Sequence, residues 1–130
     1  MDKKSGYLID TNILIYYFAD AIPDNKIAKI EEIFRTSFNI SIITKIEFLG
    51  WSKHTEEGFR KAKEFLEFAN IISLTDEIAD LAIDIRKKHK IKLPDAVIAA
   101  TALHNNLILI TRNQVDFEKT KLEIYNPFKN

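Results

Sequence analysis

Short apolar runs alternate with longer amphipathic stretches along this chain. The runs at residues 7–9, 40–43, 71–74 and 107–110 are each bounded by polar or turn-forming residues, which predicts buried strands. Residues 122–125 form a fifth candidate strand. A proline follows it closely, so we expect this strand to lie at an edge of the sheet.

Hydrophobic residues recur at helical spacing between these runs. The spacing predicts helices over residues 13–18, 27–36, 55–69 and 95–105, and helices that begin at residues 44 and 76. The helix at 95–105 is apolar nearly all round and should be buried. Strands that alternate with helices indicate an α/β fold with a central parallel sheet of four to five strands. The 130 residues fit a single domain, 1–130, and show no linker or repeat.

Acidic residues stand at the ends of four apolar runs. They are Asp10, Glu47, Asp95 and Asp116. Ligands of an open parallel sheet bind beyond the carboxyl ends of its strands. Carboxylates gathered there would repel one another unless a cation lay between them. Their hard oxygen atoms suit Mg²⁺ or Mn²⁺ and the hydrolysis of phosphate esters.

Two of these acids also have a structural explanation as helix caps. Asp10 follows a strand and precedes a helix, where an N-cap aspartate is common. Thr44 and Glu47 have the spacing of a capping box, in which the glutamate reaches back to the threonine amide. Taken alone, each residue leaves both interpretations open.

The other two acids have the same double interpretation. Asp95 follows Pro94 in the first turn of its helix, where the helix dipole should stabilise the ionised carboxylate. Asp116 lies three positions after Asn113, which could cap a short helix. Ser, Asn or Gly would serve equally well as caps at these exits, yet every exit carries a carboxylate. The set of four therefore favours a functional site.

The balance of charge gives little information about partners. Lys and Arg total 19, as do Asp and Glu, so net charge offers no argument for nucleic acid binding. Residues 86–92 nonetheless form a dense basic run just before Asp95. This run is either a solvated helix end or a rim that contacts phosphates beside an acidic centre.

Several classes of protein are excluded by what the sequence lacks. There is no cysteine, which excludes a disulfide scaffold and a thiolate metal site. No signal peptide or apolar run of membrane-spanning length is visible, so we expect a cytoplasmic protein without membrane contact. The motifs of P-loops, dinucleotide-binding loops and serine nucleophile elbows are missing. The histidines lack metal-ligand spacing and are interpreted as surface or core residues: His54, His89 and His104.

Four segments of the chain resemble the PIN-domain family, in particular the VapC-type toxins of bacterial and archaeal toxin–antitoxin modules. The segments are YLIDTNIL at 7–14, SIITKIEF at 41–48, LPDAVIAATA at 93–102 and LITRNQVDF at 109–117. Their order and spacing follow the family, and the resemblance covers essentially all 130 residues. It implies a sheet with helices on both faces and a metal-dependent ribonuclease.

The resemblance also implies roles for individual residues. The family's acidic quartet of metal ligands falls on Asp10, Glu47, Asp95 and Asp116, and its supporting polar positions fall on Asn12, Thr111 and Asn113. Many members have an acid where Asn113 stands, so a second metal ion should bind weakly here. Mg²⁺ or Mn²⁺ would activate water for attack on phosphorus, and the family leaves a 5′-phosphate and a 3′-hydroxyl. The cations expected to hold the RNA backbone are Arg86, Lys88, Lys92 and Arg112.

A cognate antitoxin and a second copy of the chain are the protein partners that the resemblance implies. Aromatic residues are concentrated on two predicted helices that follow strands: Tyr16, Tyr17, Phe18, Phe48 and Trp51. Core packing is one explanation for them. Successive helical residues turn by about 100°, however, so the three consecutive rings at 16–18 cannot all face one way. We therefore expect an exposed aromatic from Tyr16, Tyr17, Phe48 or Trp51 in the dimer interface or at the groove that the antitoxin crosses.

Two rival functions remain. An aspartate-phosphorylated domain is one, but a phosphatase of that kind would need a second acid two residues after Asp10, where Asn12 stands. A catalytically inactive PIN-like module that binds RNA or protein is the other. Retention of all four acids argues against it.

Overall fold

Strands and helices alternate along residues 6–129, which a computed structural model describes. The strands are β1 (Tyr7–Ile9), β2 (Asn39–Ser41), β3 (Asn70–Ile72), β4 (Ile108–Ile110) and β5 (Ile124–Tyr125). The helices are α1 (Thr11–Phe18), α2 (Asp24–Thr36), α3 (Ile42–Leu49), α4 (Glu56–Leu66), α5 (Asp76–Lys88), α6 (Leu93–His104) and α7 (Gln114–Phe117). The predicted α/β class is confirmed.

The strands form one parallel sheet in the order β3-β2-β1-β4-β5. In the register of β1 and β4, Ile9 lies opposite Ile110, so both strands end at the same level. Strand β5 is at an edge, as predicted. Because the strands are parallel, the loops that follow them open on one edge of the sheet.

Apolar side chains cover both faces of this sheet. Leu8 and Leu109 point into a core shared with α5 and α6, whereas Ile9 and Ile110 point into a second core shared with α1, α2 and α4. This division follows from the alternation of side chains along a strand. Residues 96–102 of α6 are buried throughout, as the apolar pattern predicted. Helices therefore cover both faces, as expected.

The strand predicted over residues 40–43 ends earlier than expected. The Ser41 side chain accepts a hydrogen bond of 3.1 Å from the amide of Ile43 and so caps α3. An apolar run alone cannot distinguish a buried strand from a buried first helical turn. The capping-box interpretation of Thr44 and Glu47 is wrong, since Ser41 caps the helix and Glu47 lies in its second turn.

The remaining predicted elements are present and differ from the observed ones by a few residues at their ends, where helices and strands fray. Among residues 6–129, no helix combines the length and the apolar character needed to cross a membrane.

Candidate active site

Asp10 leaves β1 at the carboxyl edge of the sheet and is only 4% exposed. Its Oδ1 accepts a hydrogen bond of 2.8 Å from the amide of Thr11, which makes Asp10 the N-cap of α1. Its Oδ2 accepts hydrogen bonds from Thr111 Oγ1 at 2.7 Å and from Asn12 Nδ2 at 3.1 Å. Asp10 therefore caps α1 with one carboxylate oxygen, while hydrogen bonds to the other oxygen orient the carboxylate.

Glu47 is tied to the loop of Asp10 through Thr11. Thr11 Oγ1 lies 2.7 Å from Glu47 Oε1 and 3.0 Å from Thr44 Oγ1. A hydroxyl has a single proton, and the shorter contact to a carboxylate is the stronger one. Thr11 therefore donates to Glu47 and accepts from Thr44. The threonine predicted to cap α3 instead supports Glu47 through a second hydroxyl.

Asp95 is half-buried in the first turn of α6, with Pro94 before it. Burial raises the pKa of its carboxyl group, the charges of Asp116 and Glu47 raise it further, and the Lys92 ammonium opposes them. The sequence predicted that the helix dipole would favour the ionised form. Burial and neighbouring acids outweigh that effect.

A cleft of about 520 Å³ brings Asp10, Glu47 and Asp95 together. Burial raises the pKa of Asp10 to about 7 against the hydrogen bonds from Thr111 and Thr11, and the charges of Asp95 and Glu47 add to the rise. The carboxylates therefore interact electrostatically across the cleft. The remaining wall is formed by Thr11, Asn12, Ile15, Gly50, Trp51, Ser52 and Asn113.

Asp116 lies on α7 and lines a neighbouring cleft of about 450 Å³. Asn113 connects the two clefts, since it lines the first and its Nδ2 donates a hydrogen bond of 3.0 Å to Asp116 Oδ2. The charge of Asp116 still reaches Asp95, whose pKa it raises. Asp116 is thus near the other acids but does not line their cleft.

The predicted backbone-binding cations lie in three different places. Arg86 and Lys92 line the neighbouring cleft with Asp116, together with Lys90 and Lys119, which the sequence interpretation did not single out. Lys88 forms an exposed ion pair with Asp84 at 3.0 Å and does not line that cleft. The second cleft is therefore basic apart from Asp116, whose charge also acts on Asp95.

Arg112 stands apart from these cations. Its guanidinium carbon lies 5.1 Å from the ring centre of Tyr16 and 4.6 Å from that of Phe128, so the group stacks on two aromatic rings. Its backbone amide donates a 3.3 Å hydrogen bond to Asn12 Oδ1, which places the residue at the rim of the acidic cleft. No sequence signal connected Phe128 with this rim.

The aromatic residues expected at an interface have different environments. Phe48 is 0% exposed, so the prediction that it could serve an interface is wrong. Tyr16, Tyr17 and Trp51 are half-buried. Trp51 was predicted on a helix but lies just beyond the end of α3, in the wall of the acidic cleft. The preceding glycine was the one signal in the sequence that the helix would stop there.

The donor set of the acidic cleft fits a hard divalent cation in its chemistry. It consists of carboxylate oxygens, supported by hydroxyl and amide groups, with no sulfur and no histidine. Among residues 6–129, however, no three side chains of His, Cys, Asp or Glu are close enough to form a complete metal site as they stand. The carboxylates would need to approach one another to enclose an ion.

Comparison with known proteins identifies the family. The model of the PIN domain matches residues 7–122. This chain belongs to the PIN domain family. The PIN domain is similar to Ribonuclease VapC1 of Methanocaldococcus jannaschii, with 34% identity over 133 aligned positions that cover 95% of this chain and 90% of the relative.

Solved structures show the same relationship. The PIN domain matches a toxin–antitoxin complex from Klebsiella pneumoniae with a TM-score of 0.80 and 33% identity, over 96% of this chain and 100% of the other. It also matches VapBC2 from Rickettsia felis bound to a DNA fragment from their promoter, with a TM-score of 0.78 and 25% identity. That match covers 92% of this chain and 97% of the other.

Proposed function

We propose that this PIN domain is an endoribonuclease that hydrolyses phosphodiester bonds of RNA with Mg²⁺ or Mn²⁺. PIN ribonucleases as a class depend on divalent metal ions. The observation that carries the proposal is the single cleft lined by Asp10, Glu47 and Asp95. The similarity to a ribonuclease over nearly the whole chain supports the same reaction.

Asp10, Glu47 and Asp95 would hold the ion, with Asp116, whose charge reaches Asp95, as a further carboxylate. A bound divalent ion supplies Lewis-acid stabilisation of the phosphate and makes water more acidic. Hydrogen bonds from Thr111, Asn12 and Thr11 fix the orientation of the Asp10 carboxylate. A group with a pKa of about 7 is only half ionised at neutral pH, so a cation that binds it must displace a proton.

The basic cleft beside Asp116 supports an RNA backbone as the substrate. Its lysine and arginine side chains, Arg86, Lys90, Lys92 and Lys119, lie next to the acid whose charge reaches Asp95. Cations in such a groove bind phosphates without reading the base sequence. The scissile phosphate would then lie over the acidic cleft, and neighbouring phosphates would follow the basic one.

The biological role that we propose is that of a toxin neutralised by a cognate antitoxin in the cytoplasm. The toxin–antitoxin complexes that match at 25% and 33% identity support it. We propose a homodimer as well, because large apolar side chains are exposed on the described surface: Ile46, Ile83 and Val115. Light scattering at micromolar concentration should give the mass of two chains, and the mass of one chain would contradict the dimer.

Incubation of the purified protein with a mixed RNA pool tests the activity. Cleavage should appear with Mg²⁺ or Mn²⁺ and stop in EDTA, and the products should carry 5′-phosphate ends. The inactive-module alternative predicts RNA or protein binding with no cleavage under any ion. Cleavage that continues in EDTA would contradict the metal-dependent reaction.

A further inference from the structure

The loop between α3 and α4 forms one wall of the acidic cleft. Its contribution is Gly50, Trp51 and Ser52. We propose that Trp51 is a stacking subsite for a nucleobase of the RNA substrate, adjacent to the carboxylates that act on the phosphate. This inference rests on the proposed ribonuclease function and assigns a base-binding group to the same cleft.

Trp51 stands outside the aromatic core of the domain. Among the described residues its one ring contact is with His54, at 5.1 Å and an interplanar angle of 89°. Phe65, by contrast, contacts Tyr17, Phe18, Phe34 and Phe38. A perpendicular neighbour can cover at most one face of the indole ring. Since Trp51 is half-buried and lines the cleft, part of its surface remains open to a ligand there.

Hydrogen bonds fix the loop that carries this tryptophan. The carbonyl oxygen of Phe48 lies 2.8 Å from His54 Nε2 and accepts a 3.3 Å hydrogen bond from the Trp51 amide. The His54 amide in turn donates to the Trp51 carbonyl at 3.2 Å. A carbonyl only accepts, so His54 Nε2 carries the proton of this contact. A loop held in this way loses little backbone entropy when a ligand stacks on its tryptophan.

The surroundings of Trp51 favour a nucleobase as its ligand. The cleft volume of about 520 Å³ lies within the range of roughly 300–1,000 Å³ that is typical of small-ligand pockets. Its carboxylates would act on a phosphate through a cation, and a nucleotide whose phosphate lies there carries its base to the cleft wall. Single-stranded RNA is commonly recognised by bases that stack on aromatic side chains. The Ser52 hydroxyl beside Trp51 can donate to or accept from a base edge.

The fluorescence of Trp51 provides a direct test, because the chain has one tryptophan. The protein in EDTA, where no cleavage is expected, is titrated with a short single-stranded oligoribonucleotide and with an abasic oligomer of equal length. Both ligands carry the same phosphates, so repulsion by the carboxylates affects both equally. We expect saturable quenching by the base-bearing RNA and much weaker quenching by the abasic one.

Binding of labelled RNA by variants supplies the second readout. Base–aromatic stacking is worth about 1–3 kcal/mol per base, so Trp51→Leu should weaken binding by about 5-fold to 150-fold. Trp51→Phe keeps an aromatic face and should recover most of the affinity. Phe68→Leu removes an aromatic ring that is 80% exposed and lies outside the cleft lining, so it should bind like the wild type.

The outcomes separate this inference from the proposed function. RNA cleavage with equal quenching by abasic and base-bearing oligomers would overturn the stacking subsite and leave the nuclease intact. Base-dependent quenching without cleavage in any metal would leave the subsite and contradict the nuclease. Quenching by an antitoxin segment but not by RNA would assign Trp51 to a protein contact and overturn the inference.

Discussion

The Thr111 hydroxyl donates a 2.7 Å hydrogen bond to the Asp10 carboxylate, although 101 positions of sequence separate the two residues. Each residue directly follows a strand, and the preceding residues, Ile9 and Ile110, are register partners in β1 and β4. The parallel pairing of these strands therefore brings the two side chains together. The site depends on sheet order as much as on the residues themselves.

Thr111→Val should weaken metal binding and lower stability. The substitution removes a hydrogen bond that opposes the rise in the pKa of Asp10, so the carboxyl group should hold its proton more firmly. It also removes the acceptor of the Asn113 amide, at 2.9 Å. We expect a loss of about 1–3 kcal/mol in the free energy of unfolding, and weaker Mg²⁺ binding by calorimetry.

Thr101→Val is the matched control for that variant. Thr101 is also buried, and its hydroxyl donates to the Val97 carbonyl at 2.7 Å within α6. This control should lose stability without a change in metal affinity per folded molecule. Equal Mg²⁺ affinity in the Thr111→Val variant and the wild type would show that the hydroxyl does not tune the site.

Asp10→Asn should change how the stability of the metal-free protein depends on pH. The pKa of Asp10 is raised from 3.8 to about 7, so between these values the folded state binds the extra proton. Stability therefore falls as pH rises through this window and levels off above it. Above pH 7, the ionisation of buried Asp10 lowers the free energy of unfolding by on the order of 4 kcal/mol.

The asparagine has no such titration, so the variant should unfold at a higher urea concentration than the wild type at pH 8 in EDTA. Part of the gain is offset because the Asn12 amide loses a carboxylate acceptor. RNA cleavage should be lost. If the free energy of unfolding changed with pH equally in the variant and the wild type, the raised pKa of Asp10 would be contradicted.

Glu47→Gln distinguishes a catalytic role from a structural one. Glutamine keeps an oxygen that can accept the hydrogen bond from Thr11, so the free energy of unfolding should stay within about 0.5 kcal/mol of the wild type. Cleavage should nevertheless be lost, because the charge is removed from the cleft. The control is Glu32→Gln, at an exposed position of α2, which should keep both wild-type stability and wild-type cleavage. A fully active Glu47→Gln protein would exclude Glu47 as a metal ligand.

Patterns in the sequence predicted the fold class, the parallel sheet, the buried α6 and the gathering of Asp10, Glu47 and Asp95. These features depend on local periodicity and on the rule that parallel strands end at one edge. The end of β2 was misplaced because Ser41, rather than Thr44, caps α3. Trp51 was one of four aromatics expected at an interface or groove, and nothing local showed that it would line the acidic cleft, since that depends on how α3 packs against the loop of Asp10. The presence of Asp116 among basic residues of the second cleft depends likewise on tertiary packing.

Arg112→Lys should weaken RNA binding although the charge is kept. The guanidinium stacks on Tyr16 and Phe128, and a lysine ammonium has no plane with which to do so. The stacked guanidinium is already ordered, whereas a lysine side chain would lose about 0.5–1.5 kcal/mol of entropy on binding, so we expect affinity to fall by about 2-fold to 13-fold. Arg112→Ala should in addition reduce by about one the slope of log affinity against log salt.

Arg60→Ala serves as the control for the two Arg112 variants. Arg60 forms exposed ion pairs with Glu57 and Glu64 on α4. Its removal should leave RNA affinity and the salt slope unchanged. Wild-type affinity in Arg112→Lys would show that the stacked arrangement does not contribute to RNA binding.

Cleavage of a defined single-stranded RNA by the wild type and by Asp95→Asn is the most direct test of whether these carboxylates form a metal-dependent nuclease site. Both proteins are assayed with Mg²⁺ and with EDTA, and circular dichroism establishes that the variant is folded. We expect Mg²⁺-dependent products with 5′-phosphate ends for the wild type and no cleavage by the folded variant. Wild-type rates in Asp95→Asn, or equal rates in Mg²⁺ and EDTA, would contradict a metal-dependent site built on these carboxylates.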